Sequence, residues 1–135
     1  MKTTLRTLAA LLLLAPAIAA AGPYDQPWAE IRGEGSGAPD PKYGAAVLSR
    51  VDGEPAARGR AVVAPGTHAV TVSLPPNKGM SVGAQQNLEV RANPCMRYIL
   101  AASLDPQSGQ WKAVVRSAES IGECLTRFRG GTAPQ

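Results

Sequence analysis

The sequence predicts an all-β domain, a small antiparallel β-sandwich of six or seven short strands that follows a cleaved N-terminal signal peptide. Residues 47 to 74, VLSRVDGEPAARGRAVVAPGTHAVTVSL, hold short apolar alternations broken by Asp-Gly and Pro-Gly turns. The clearest alternation puts His68, Val70, Val72 and Leu74 on one side of an extended chain and Ala69, Thr71 and Ser73 on the other, the period of two that marks one buried face. Beyond residue 21 no stretch reads as a convincing helix, and neither internal repeats nor coiled-coil heptads are present.

Residues 1–21 read as the signal peptide. Lys2 and Arg6 precede an apolar run from Leu8 to Leu14, Pro16 breaks it, and the small residues Ala17, Ala19, Ala20 and Ala21 follow, with cleavage after Ala21 favoured over Ala19. The run is shorter than the about 20 apolar residues that a bilayer span needs. No cysteine stands at the cleavage site, so lipoprotein acylation is not expected, and the mature chain should be periplasmic or secreted. Cleavage also removes two of the 14 basic residues and none of the 10 acidic ones, leaving a net charge of only +2. The remaining Lys and Arg are scattered singly with no aromatic residues interleaved, which argues against a nucleic-acid partner. What is left is the length of one domain.

Residues 22–44 form a Gly/Pro-rich N-terminal segment in which Trp28-Ala-Glu-Ile31-Arg32 alternates briefly and is expected as an edge strand. Residues 45–128 are expected to form the sandwich. Its first strand, Ala45 to Val51, ends at Asp52-Gly53, where both residues tolerate positive φ. A short strand at Ala61 to Val63 leads into Ala64-Pro65-Gly66-Thr67 and is expected to pair antiparallel with the strand from His68 to Leu74. Pro75-Pro76 ends that strand, since neither proline can donate to a ladder. Leu88, Val90 and Ala92 alternate with Glu89 and Arg91 in a further half-buried strand. Cys95 to Leu104 and Trp111 to Ile121 make a hairpin about Asp105 to Gln110, and a register with Leu104 opposite Gln110 sets Trp111 against Ser103 and Cys95 against Glu119. Residues 129–135 are expected to be a disordered tail.

Cys95 and Cys124, an even count in an exported chain, are expected to form a disulfide that clamps the open end of the hairpin. Neither belongs to a Cys-x-x-Cys pair and no second histidine exists, so redox and zinc readings are poor and neither a metal nor a cofactor is expected. The same inventory argues against an enzyme. His68 follows a Pro-Gly turn and reads as a partly buried strand-start residue bonded to the loop, Asp52 reads as a turn former, and no Gly-x-Ser-x-Gly elbow is present. Glu119 and Glu123 could approach one another but read as solvated charges. Trp28 and Trp111 are the possible ligand contacts, as aromatic platforms for sugar, with core packing as the plainer account of each.

Val51-Asp52-Gly53-Glu54-Pro55, followed by Val63-Ala64-Pro65-Gly66-Thr67-His68-Ala69-Val70-Thr71-Val72, resembles the PEGA-type β-sandwich repeat, in which an apolar strand ending in V-D-G is paired with a later L-x-P-G-x-H-x-V-x-V strand. The resemblance implies a small extracytoplasmic module, often an accessory on surface proteins, with no catalytic residues to carry over. Two departures stand out: Pro75 to Gly79 replaces the expected Gly-aromatic, and the cysteine-closed hairpin is an addition. The chain also resembles the small exported proteins of Gram-negative bacteria. The functional expectation is a non-enzymatic structural or protein-binding module of the cell envelope, acting through loops or a sheet edge. Envelope-glycan binding and inhibition of a secreted hydrolase are the alternatives.

Overall fold

A computed structural model describes residues 22–35, 40–76 and 83–128. The leader expected at residues 1–21 and the tail expected at 129–135 lie outside the described residues. Two sheets face each other across one core. The first contains β1 (Ala29–Gly33), β2 (Tyr43–Gly44), β5 (Arg60–Val63), β8 (Met96–Leu104) and β9 (Trp111–Ser120). β9 runs along the whole of one edge of β8, β1 and β2 share the other, and β5 lies outside β1. The second sheet has the order β4 (Glu54–Pro55), β3 (Val47–Val51), β6 (Gly66–Ser73), β7 (Gln85–Ala92). The expected sandwich is therefore the observed architecture, with seven strands of four residues or more and two of two residues among the described residues.

Side-chain alternation explains which faces meet. Val70, Val72 and Leu74 of the expected apolar face are buried, against Leu48, Ile31, Tyr98, Leu100 and Val90 from both sheets. Each large aliphatic side chain taken fully from water contributes about 1.5–3 kcal/mol. At Gly33 two backbone segments pass closely: a Cβ there would overlap the Ala46 carbonyl oxygen, so only glycine lets the backbones pass.

Several placements differ from the sequence expectation. Trp28 to Arg32 was expected at an edge, yet β1 is interior, parallel to β8 and antiparallel to β5, so the sandwich begins well before residue 45. It is the one parallel pair among the described strands; long connections through the second sheet return the chain to β8 in the same direction. The strand at 60–63 pairs with β1, not with 68–74. Ala64-Pro65 carries the chain across from one sheet to the other, Gly66 takes φ 136°, and β6 pairs with β3 and β7. In the hairpin Trp111 faces Leu104 instead of Ser103, because the turn spans all of residues 105–110, closed by Asp105 N–H to Gln110 O at 2.9 Å. A bulge at Arg116 then shifts the register again, leaving Val115 41 % exposed and bringing Ile121, not Glu119, opposite Cys95.

A short helix, α1 (Gly122–Arg127), was not expected. At six residues it is too short to stand alone. It persists because Cys124 is bonded to Cys95 and because Ile121 and Cys124 pack with Trp28, Val62 and Phe128 in a second cluster. Val62 alternates with the core-facing Ala61 and Val63, so this cluster covers the outer face of the first sheet.

Candidate functional site

The disulfide is formed as expected, Cys95 to Cys124, with both residues buried and Cα atoms 5.2 Å apart. The two tryptophans are not brought together. Trp28 sits at the Cys95 end of the hairpin, 3 % exposed, with Tyr24 edge-on at 4.9 Å and Phe128 at 6.0 Å. Trp111 sits at the turn end, half-buried against the main core and over Gly44. There the Gln86 side-chain amide links β7 to the outer edge of β9, donating to Trp111 O at 3.2 Å and accepting from Ala113 N–H at 2.8 Å. Trp28 packs as a buried residue and Trp111 packs half-buried against the main core.

A concavity runs beside β5. It holds about 420 Å³ between the outer edge of β5 on one side and the β3–β4 turn with the 3₁₀ turn Ala57–Gly59 on the other. Pro55, Ala56, Ala57, Val62, Val63 and Ala64 make it largely apolar. β5 pairs only with β1 among the described residues, so its second row of backbone N–H and C=O groups borders this groove.

His68 and Asp52 close one end. The His68 Nδ1 is 2.5 Å from Asp52 Oδ2 and its Nε2 is 2.6 Å from the Ala64 carbonyl oxygen, while Ala69 N–H donates to Asp52 Oδ1 at 2.9 Å. The pairing of β3 with β6 makes this contact, because Val51 opposite Val70 brings Asp52 alongside Ala69. Hydrogen bonding from His68, and then from the Ala69 backbone, holds the Asp52 carboxyl below its ordinary value. His68 is bonded to the loop as the sequence suggested, but Asp52 does more than form a turn: at φ 51° it also ties two corners of the groove together. Both ring nitrogens face oxygen atoms, so the His68 ring is held between the Asp52 turn and the Ala64 carbonyl.

A second feature escaped the sequence reading. Glu30 is only 5 % exposed, and on the same outer face Arg97 reaches both Glu30 and Glu119. Burial pulls the Arg97 guanidinium towards neutrality, but the hydrogen bonds and charges of Glu30 and Glu119 outweigh it and leave its pKa raised. The register sets Arg97 beside Glu30 on β1 and Glu119 on β9, information that alternation alone does not hold. Glu119 thus pairs with arginines rather than with Glu123.

Among the described residues no group of three or more His, Cys, Asp and Glu side chains is placed to hold a metal ion, and no helix is long and apolar enough to cross a membrane. No family model, no curated protein and no solved structure matches this chain.

Proposed function

We propose that this chain is an exported, non-enzymatic β-sandwich module of the cell envelope, periplasmic or secreted, that binds an extended segment of a partner protein along β5. The observation that carries the reading is the apolar groove bordered by an unpaired strand edge, the combination that strand addition uses: backbone groups supply affinity and flanking pockets supply side-chain selection. β9 is the less suited edge, since Gln86 occupies one end of it and the bulge at Arg116 breaks its regularity. Export is supported by the leader in the sequence together with the disulfide, which an oxidising compartment maintains. The engagement of both His68 ring nitrogens favours a structural over a catalytic histidine. The glycan alternative is less favoured because the Trp28 face is covered.

A random-peptide display library selected against the oxidised protein tests this. Selected peptides should slow hydrogen exchange of the β5 amides and lose about tenfold or more in affinity to Ala57→Trp, which fills the groove. Peptides that leave β5 exchange unchanged would defeat the assignment. Turnover of ester, glycoside or peptide substrates that is abolished by His68→Ala would defeat the non-enzymatic reading.

A further inference from the structure

On the outer face of the first sheet, adjoining the β5 groove with which it shares Arg60, lies a niche of about 280 Å³ that the interaction pattern leaves incomplete. Arg60 from β5, Arg97 from β8 and Arg127 from α1 converge on it over the buried Glu30, with Trp28 and the exposed Tyr24 at its side. The ion pairs here are long: Arg97 Nε to Glu30 Oε1 at 3.3 Å, Arg60 Nε to Glu30 Oε1 at 3.7 Å and Arg97 Nη1 to Glu119 Oε1 at 3.5 Å. Charge-assisted bonds close to about 2.7–2.9 Å. The Arg116–Glu34 pair elsewhere in the molecule does so, at 2.8 Å. Moreover, the Arg97 Nε is sealed from solvent and poorly aligned with Glu30, so it has no hydrogen-bond partner. Arg97 Nη2 donates to Glu30 Oε2 at a long 3.5 Å, so Glu30 bonds this guanidinium only loosely and a closer acceptor for its outer donors would be favoured.

The charges say which acceptor. Arg60, Arg97 and Arg127 face Glu30 and Glu123, a surplus of one positive charge, while Glu119 is balanced by Arg32 at 3.7 Å. We infer that the niche binds a phosphate group. Guanidinium forks arriving from three different elements offer more donors, in more directions, than the two coplanar oxygens of a carboxylate can accept, whereas the oxygens of a phosphate point tetrahedrally. Arg60, Arg97 and Arg127 supply the donors, with the Arg97 Nε remaining against Glu30. The phosphate can be free or carried on a larger molecule, and the two sources present the same group to the arginines.

The test is a titration of the isotopically labelled, oxidised full chain with inorganic phosphate and, separately, with glycerol 3-phosphate. The Arg97 Nε–H and Trp28 indole N–H resonances are followed at constant ionic strength. A saturable shift with a dissociation constant of about 1 mM or tighter is expected. Arg127→Gln and Arg60→Gln should each weaken it about tenfold, the loss of one charge-assisted contact, and Glu123→Gln should strengthen it. Glycerol 3-phosphate binding at least as tightly as inorganic phosphate assigns a phosphorylated molecule as the source, and weaker binding assigns free phosphate. Shifts that grow linearly and are reproduced by chloride, or an affinity unchanged in both arginine variants with unaltered melting, overturn the assignment. Arg97 itself is left intact, because its removal would leave the buried Glu30 with only the 3.7 Å contact to Arg60.

Discussion

Reducing the Cys95–Cys124 bridge removes the one covalent tie across the hairpin, and the cost can be worked from the chain it closes. The cysteines are 29 residues apart. A loop of about 30 residues corresponds to roughly 3.5 kcal/mol of lost unfolded-state entropy. For a domain of this size that should lower the melting temperature by about 15–25 °C. Reduction is preferable to substitution because both sulfurs stay in place and no cavity is added, Cys124 being fully buried. The structure also predicts an order of events. Freed from Cys95, α1 is too short to hold itself, so Phe128 leaves the Trp28 ring and the indole meets water before either sheet opens. In a Trp111→Phe background, Trp28 emission should shift to the red on reduction while the β-sheet circular dichroism at room temperature persists. Urea unfolding of oxidised and reduced protein gives the energetic difference. A difference below about 1 kcal/mol, or Trp28 emission unmoved after thiol counting confirms reduction, would refute the reasoning.

Gln86→Leu keeps the side chain's bulk but leaves the Ala113 N–H and the Trp111 carbonyl without their partner. It should cost about 1–3 kcal/mol and speed hydrogen exchange at Ala113, whereas unchanged exchange would mean the amide bridge is idle. Asp52 is held below its ordinary pKa by His68 and the Ala69 N–H, so its contribution is present above the unfolded value near about pH 4 and fades as pH falls through the folded one. Wild type should therefore lose stability more steeply than Asp52→Asn as pH drops below about 4, and parallel pH profiles would contradict the clamp.

How much of this was readable beforehand follows from the kind of signal each feature carries. The His68-Val70-Val72-Leu74 face was legible because one side of β6 meets the core and the other meets solvent, which writes a period of two into the residues. The helix left a trace that went unused: Ile121, Cys124 and Phe128 recur at three- and four-residue spacing, hidden by its brevity. The Asp52–His68 clamp follows from the pairing of β3 with β6, which brings the two residues together and which alternation alone does not name. The β5 groove and the Glu30–Arg97 contact were not legible either, because the first depends on β5 pairing with β1 and the second on β1 lying parallel to β8, and no local pattern names either partner.

Residue order alone settled that this chain is β, where most of its strands and turns fall, and that its two cysteines pair. Those features arise from short-range chemistry: alternation against solvent, glycine and proline at turns, and the arithmetic of thiols. Partner choice between strands, the edge left bare and the carboxylate sealed beneath arginines came from folding in three dimensions. Backbone ladders form with equal ease between any two extended segments, and only the simultaneous closure of one shared core selects among them.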